Sequence, residues 1–148
     1  MIIDDIIEKT KERVEENKKR NSIDKLAKLA FAKPIYNDFP FEKALRKPGL
    51  SYIMEVKRAS PSKGVITQNF DYKTIAKEYE DIGAAAISVV TEPDFFKGDD
   101  DFLAEIKKIV KIPVLRKDFV IDEYMIYEAK LLGADAVLLI CSVLDEIT

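Results

Sequence analysis

The chain has 148 residues, 47% hydrophobic and 34% charged, with a formal net charge of −3. That length suffices for one domain with a real core, and the balance suits a soluble globular protein with no push toward nucleic acid. No apolar run approaches the roughly 20 residues of a membrane span, and the acidic, broken start MIIDDIIEKT is no signal peptide.

Residues 3–20 read as an amphipathic helix, with Ile3, Ile6, Ile7 and Val14 on one face and the charged run EKTKERVEENKKR on the other. A second short helix follows Ser22, striped by Ile23, Leu26, Ala27 and Ala30. The stretch FAKPIYNDFPFEKALRKPG is broken by Pro34, Pro40 and Pro48, leaving room for one helical turn at FEKALR. The character then changes. SYIMEVK predicts a first strand, and DYKTIAKEYEDIG a helix carrying Tyr72, Ile75, Ala76, Tyr79 and Ile82 inward, with Gly83 just past its end. AAAISVVT predicts a continuous apolar second strand. DDFLAEIKKIV is a helix with Phe102, Leu103, Ile106 and Val110 inward, and IPVLRKDF is the third strand. DEYMIYEAKLLG is a helix capped by Asp122 and closed by Gly133, and ADAVLLIC is a continuous apolar fourth strand. Cys141, the only cysteine, ends that run. It reads as a core thiol, excludes an internal disulfide and fits a reducing cytoplasm.

Strict alternation of strands and helices argues for parallel strands joined by crossover helices. The second and fourth strands, apolar throughout, fit a sheet covered on both faces. EDIGAAAISVV and KLLGADAVLLI echo one another weakly. Doubly wound sheets and eight-stranded barrels both remain open, although no Gly-rich phosphate fingerprint follows the first strand.

In parallel α/β folds, ligands bind at the carboxyl ends of strands. Period-two alternation puts Glu55 and Lys57 on one face of the first strand. The second strand ends in Thr91 and Glu92, followed by PDFFKGDD; the third ends in Lys117, Asp118 and Phe119; the fourth in Leu138, Ile140 and Ser142. The chain has no histidine, so acid–base chemistry falls to Lys, Glu, Asp or Tyr, and no metal site is expected. Two lysines at the same end of nearby strands make a cationic mouth whose guest is a carboxylate or phosphate. Crowded, part-buried ammonium groups are usable proton donors. Taken singly, Lys117 reads equally as a strand-end lysine reaching solvent, Glu55 and Lys57 as an ion pair, and Phe95 and Phe96 as packing residues. Their common placement at one end of consecutive strands favours a site.

At these residues the sequence resembles indole-3-glycerol phosphate synthase. EVKRASPSKG resembles that family's first-strand signature and VVTEPDFFKG its second-strand loop. IPVLRKDFVIDEYMIYEAKLLGADAVLLI resembles its third and fourth βα units, and the two N-terminal helices with FEKALRKPGLS resemble the extension before the barrel. The resemblance implies a TIM (β/α)8 barrel of which this chain holds an N-terminal helical extension, residues 1–50, and the first four strands, a half-barrel over residues 51–148. It implies ring closure of 1-(2-carboxyphenylamino)-1-deoxyribulose 5-phosphate to indole-3-glycerol phosphate in tryptophan biosynthesis, with loss of carbon dioxide and water and without a cofactor. Lys117 then corresponds to the general acid, Lys57 to the lysine that holds the substrate's anionic groups, and Glu55 to the carboxylate that pairs with both. Ser60 corresponds to a carboxylate contact, Phe96 and Phe119 to walls of the aromatic-ring pocket, and Leu138 to its floor.

The resemblance also implies what is missing. Such a barrel needs roughly 250 residues, and the family's general base, an Asn-Arg pair and the phosphate site lie on later strands. The chain is then a natural or engineered half, a truncated product or the product of a misread gene, nearly inactive alone. Its open edges and interior predict pairing with a second copy or with the C-terminal half, or aggregation. Two other readings are weighed: another phosphosugar barrel, such as a histidine- or tryptophan-pathway isomerase, against which the EVKRASPS signature argues, and a non-catalytic self-associating half-barrel with a residual anion site.

Overall fold

A computed structural model describes residues 2–34 and 38–144. Helix α1 (Ile2–Arg20) buries Ile6, Thr10 and Val14, a stripe at i, i+4 and i+8. Helix α2 (Ile23–Ala32) starts where the Ser22 hydroxyl accepts from the Lys25 amide, and it buries Leu26 and Ala30. Helix α3 (Pro40–Leu45) begins at a proline, whose missing N–H costs nothing in a first turn.

The sheet comes next. Strands β1 (Ile53–Val56), β4 (Ala86–Val90), β5 (Val114–Lys117) and β6 (Ala136–Val137) run parallel in that spatial order. Between β1 and β4 lie a small antiparallel hairpin, β2 (Ala59–Ser60) with β3 (Gly64–Val65), and helix α4 (Tyr72–Asp81). Helices α5 (Asp100–Ile109) and α6 (Glu123–Leu132) make the later crossovers. Asp122 caps α6 through the Tyr124 amide. Gly133 closes it at φ 92°, a left-handed conformation that side-chain-bearing residues adopt at a cost.

Alternation along each strand divides the sheet into two environments. Val56, Ile87, Val89 and Val114 face outward into a core completed by Ala76, Leu103, Ile106 and Val110 of the helical layer. A second core joins Val14 of α1 and Leu26 of α2 to Val120, Tyr124 and Met125, so the N-terminal helices are packed onto α6. Register aligns Glu55 with Ser88, Ser88 with Leu115, and Leu115 with Ala136 on the opposite, inner face.

Three sequence expectations need correction. The fourth strand is not continuously buried: β6 pairs only with β5, keeps two residues of ladder, and leaves Leu139 54% exposed. Cys141 is not a core thiol but lies exposed in a 3-10 turn, Cys141–Val143, beyond that short edge strand. Ile82 was expected on the apolar stripe of α4 but forms the helix's C-cap and is 68% exposed, because the chain turns toward Gly83 there. The turn Ser-Pro-Ser-Lys-Gly proves to be the tip of the β2–β3 hairpin.

Candidate active site

The carboxyl ends of β1, β4 and β5 bring the expected charges together. Lys57 Nζ donates to Glu55 Oε1 at 2.6 Å, and Lys117 Nζ lies 3.1 Å from Glu55 Oε2. One carboxylate thus bridges two ammonium groups from non-adjacent strands. Burial of Glu55 opposes its ionisation, but the hydrogen bonds from Lys57 and Lys117 outweigh it and hold the carboxyl below its ordinary value. The three side chains remain about one-third exposed, so a ligand can reach them.

Beside this cluster lies a small cleft of about 80 Å³ lined by Val90, Glu92, Phe96, Lys117, Phe119 and Leu138, among others. The Lys117 ammonium sits 5.9 Å from the centre of the Phe96 ring. The Phe96 and Phe119 rings are 6.3 Å apart and tilted by 38°. The cleft therefore joins an aromatic wall to a cationic rim, which suits an aromatic anion. Ser60 stands apart from it, on the hairpin, outside the residues that line the cleft. Larger hollows elsewhere, such as one of about 480 Å³ under Val120 and Ile126, do not contain this charge cluster.

Two groups to which the sequence reading assigned no role lie near these charges. Glu92 is buried, and its carboxylate accepts the amides of Asp94, Phe95 and Phe96 at 2.8–3.0 Å. On the outer face of β5, Arg116 is buried among acids. It reaches Asp100 at 2.9 Å, Glu128 at 3.5 Å and the Met125 carbonyl at 3.0 Å. Asp118 accepts from Arg13 of α1 at 2.8 Å and from the Thr91 hydroxyl at 2.9 Å. Alternation in LRKDF could have placed Arg116 opposite Lys117; nothing in the sequence says which acids surround it. Burial pushes the Asp100 and Glu128 carboxyls above their ordinary values, with Arg116 opposing. Among the described residues, no group of three or more His, Cys, Asp or Glu side chains is placed to hold a metal ion, and no helix is long and apolar enough to cross a membrane.

A sequence profile described as indole-3-glycerol phosphate synthase matches residues 3–148. A protein of that name from Endomicrobium trichonymphae is 58% identical over 145 residues, covering 98% of this chain and 56% of the relative. Its namesake from Ruminiclostridium cellulolyticum is 55% identical over 148 residues, covering all of this chain and 57% of the relative. Another from Lacticaseibacillus casei is 47% identical over 146 residues. The chain spans a little over half the length of these curated relatives. It belongs to the indole-3-glycerol phosphate synthase family, a family of (β/α)8 barrels of which its four parallel strands and their helices form a half.

Proposed function

We propose that this chain carries the N-terminal part of an indole-3-glycerol phosphate synthase active site, a carboxy-lyase acting in cytoplasmic tryptophan biosynthesis. Residues 1–50 serve as the helical extension and 51–148 as the half-barrel. The observation that carries the reading is the Glu55 carboxylate bridged between Lys57 and Lys117 at the rim of an aromatic cleft. In 1-(2-carboxyphenylamino)-1-deoxyribulose 5-phosphate, the ring carbon bearing the carboxylate must bond to the sugar's carbonyl carbon. Negative charge then develops on the carbonyl oxygen, and Lys117 supplies its proton. Lys57 holds the substrate's anionic groups, and Glu55 keeps both ammonium groups in place. Phe96, Phe119 and Leu138 seat the aromatic ring, and Ser60 contacts its carboxylate as the β2–β3 hairpin approaches. Carbon dioxide and water leave afterwards, and no cofactor is called for. Proton transfer of this kind contributes roughly 10² to 10⁴ in rate, and holding the two carbons together adds a further large share.

Completing the reaction needs a base and a phosphate site, which the family reading assigns to the other half of the barrel. The chain alone is therefore read as nearly inactive, its partner being a C-terminal half-barrel or a second copy. Turnover followed by indole fluorescence tests this, using the chain alone and mixed with a separately expressed C-terminal half. Activity only in the mixture, lost in Lys117→Ala, is the expected result; activity of the chain alone, or of the Lys117→Ala mixture, overturns the assignment. A second reading, a self-associating half-barrel that binds anions without turnover, is favoured by the exposed inner-face Ile53 and by Leu139, 46% and 54% accessible. No turnover in either arm would leave that one standing.

A further inference from the structure

Glu92 takes no part in the chemistry above, yet it is among the most enclosed side chains in the molecule, 1% exposed at the end of β4. An ionisable group is buried at a cost unless it is well partnered. Its partners here are three successive backbone amides: Oε1 accepts from Asp94, and Oε2 accepts from Phe95 and Phe96. Its own carbonyl accepts the Gly98 amide at 2.8 Å, so the loop closes on a single residue. The loop is tight. Lys97 takes a left-handed φ of 54°, and a Cβ on Gly98 would lie 2.5 Å from the Val90 carbonyl oxygen. The Phe96 carbonyl then accepts the Ala59 amide at 3.1 Å, which joins the loop to the β2–β3 hairpin.

We infer that Glu92 is a positioning residue whose buried carboxylate holds the 93–98 loop so that the Phe96 ring stands beside the Lys117 ammonium. The inference deepens the proposed function and rests on it for the ring's meaning, not for the loop's geometry. A carboxylate suits this task because it only accepts and offers about four lone-pair sites to converging N–H donors. A glutamine of the same shape keeps one acceptor oxygen but sets an NH2 group against the amide donors that the other oxygen had served. The loop then opens although the volume is unchanged.

Mass spectrometry reads the consequence without requiring turnover. In Glu92→Gln, amide exchange across residues 93–98 is expected to speed by about tenfold or more. Acylation of Lys117 by acetic anhydride, measured against Lys130 in the same sample, is expected to speed as Phe96 withdraws. Ile106→Val, which loosens the outer core without touching the loop, serves as the control and leaves both readings unchanged. Should Glu92→Gln not fold, Glu92→Asp, one methylene shorter, takes its place in the same comparison. Unchanged exchange in the loop overturns the proposal. So does faster exchange with unchanged Lys117 labelling, or equal changes in Ile106→Val. In the mixture with a C-terminal half, Glu92→Gln should raise KM more than it lowers kcat, since the Phe96 wall binds the ring and donates no proton. If the wild-type mixture shows no turnover, the functional reading fails while the loop and labelling results still decide the role of Glu92.

Discussion

Arg116 and Lys117 are neighbours in β5, and they live in opposite worlds. Arg116 points outward, 2% exposed, into a closed network with Asp100, Asp118, Glu128 and the Met125 carbonyl. Lys117 points inward, 36% exposed, toward Glu55 and the Phe96 ring. Both are cations bound to carboxylates, yet the first is surrounded and the second is left with room for a guest. The outer network locks the sheet to α1, α5 and α6, because its partners come from all three helices or their caps. The inner cluster belongs to strand ends alone. A cation that holds the fold must be saturated by protein; one that meets a ligand must not be.

Substituting the two neighbours separates these roles most strongly. Arg116→Ala leaves three carboxylates of the outer network without their central cation, and should cost about 3–5 kcal/mol in urea unfolding. Lys117→Ala should cost less than about 1 kcal/mol, because its ion pair is substantially exposed. In the reconstituted mixture Lys117→Ala should nonetheless lower turnover by about 10² to 10⁴. Comparable stability losses in the two variants would erase the distinction.

Arg13→Ala sharpens the comparison at the outer cluster's edge. It removes the α1 hydrogen bond to the fully enclosed Asp118 carboxylate, and a loss of about 1.5–3 kcal/mol follows from a charge-assisted bond to a buried partner. Protease should then cut α1 first. A stability change near zero would mean that the packing of Val14 and the bonds of Asn17 to Glu128 and Lys18 to Asp122 hold the helix without Arg13.

The smallest effect is a difference of sign with pH. Glu55 has a lowered folded pKa, so its contribution is present above the ordinary carboxylate value and is lost as pH falls through the folded value. Glu128 has a raised one, chiefly through burial. The folded protein binds its proton more tightly than the unfolded chain, so stability falls as pH rises from the ordinary carboxylate value through the folded value. Urea midpoints followed upward from the ordinary carboxylate value of 4.5 should therefore show Glu128→Gln losing less stability than wild type. Followed downward from 4.5, they should show Glu55→Gln losing less than wild type. Parallel midpoints in all three proteins would remove the electrostatic contrast between the faces.

Much of this was legible from residue order. Ser22 and Asp122 announced helix starts, Gly83 and Gly133 helix ends, and the period-two spacing of Glu55 and Lys57 placed them on one face. These are local effects: a cap or a pleat acts within four residues. The β2–β3 hairpin was hidden because a two-residue ladder has no periodicity to read. The failures at Ile82, Leu139 and Cys141 share another cause. An apolar residue is buried only if something covers it, and beyond α4 and β6 nothing among the described residues does.

By itself the sequence determined the order of helices and parallel strands, the face each strand-end charge occupies, and the family, since all depend on neighbours along the chain. Only the tertiary structure decided that Lys117 reaches back to Glu55 on a strand two places away, and that Arg116 is enclosed by acids of α5 and α6 together with Asp118. Those are contacts between segments whose distance in space bears no relation to their distance in sequence, and charge pairing is settled by that distance and by exclusion of water.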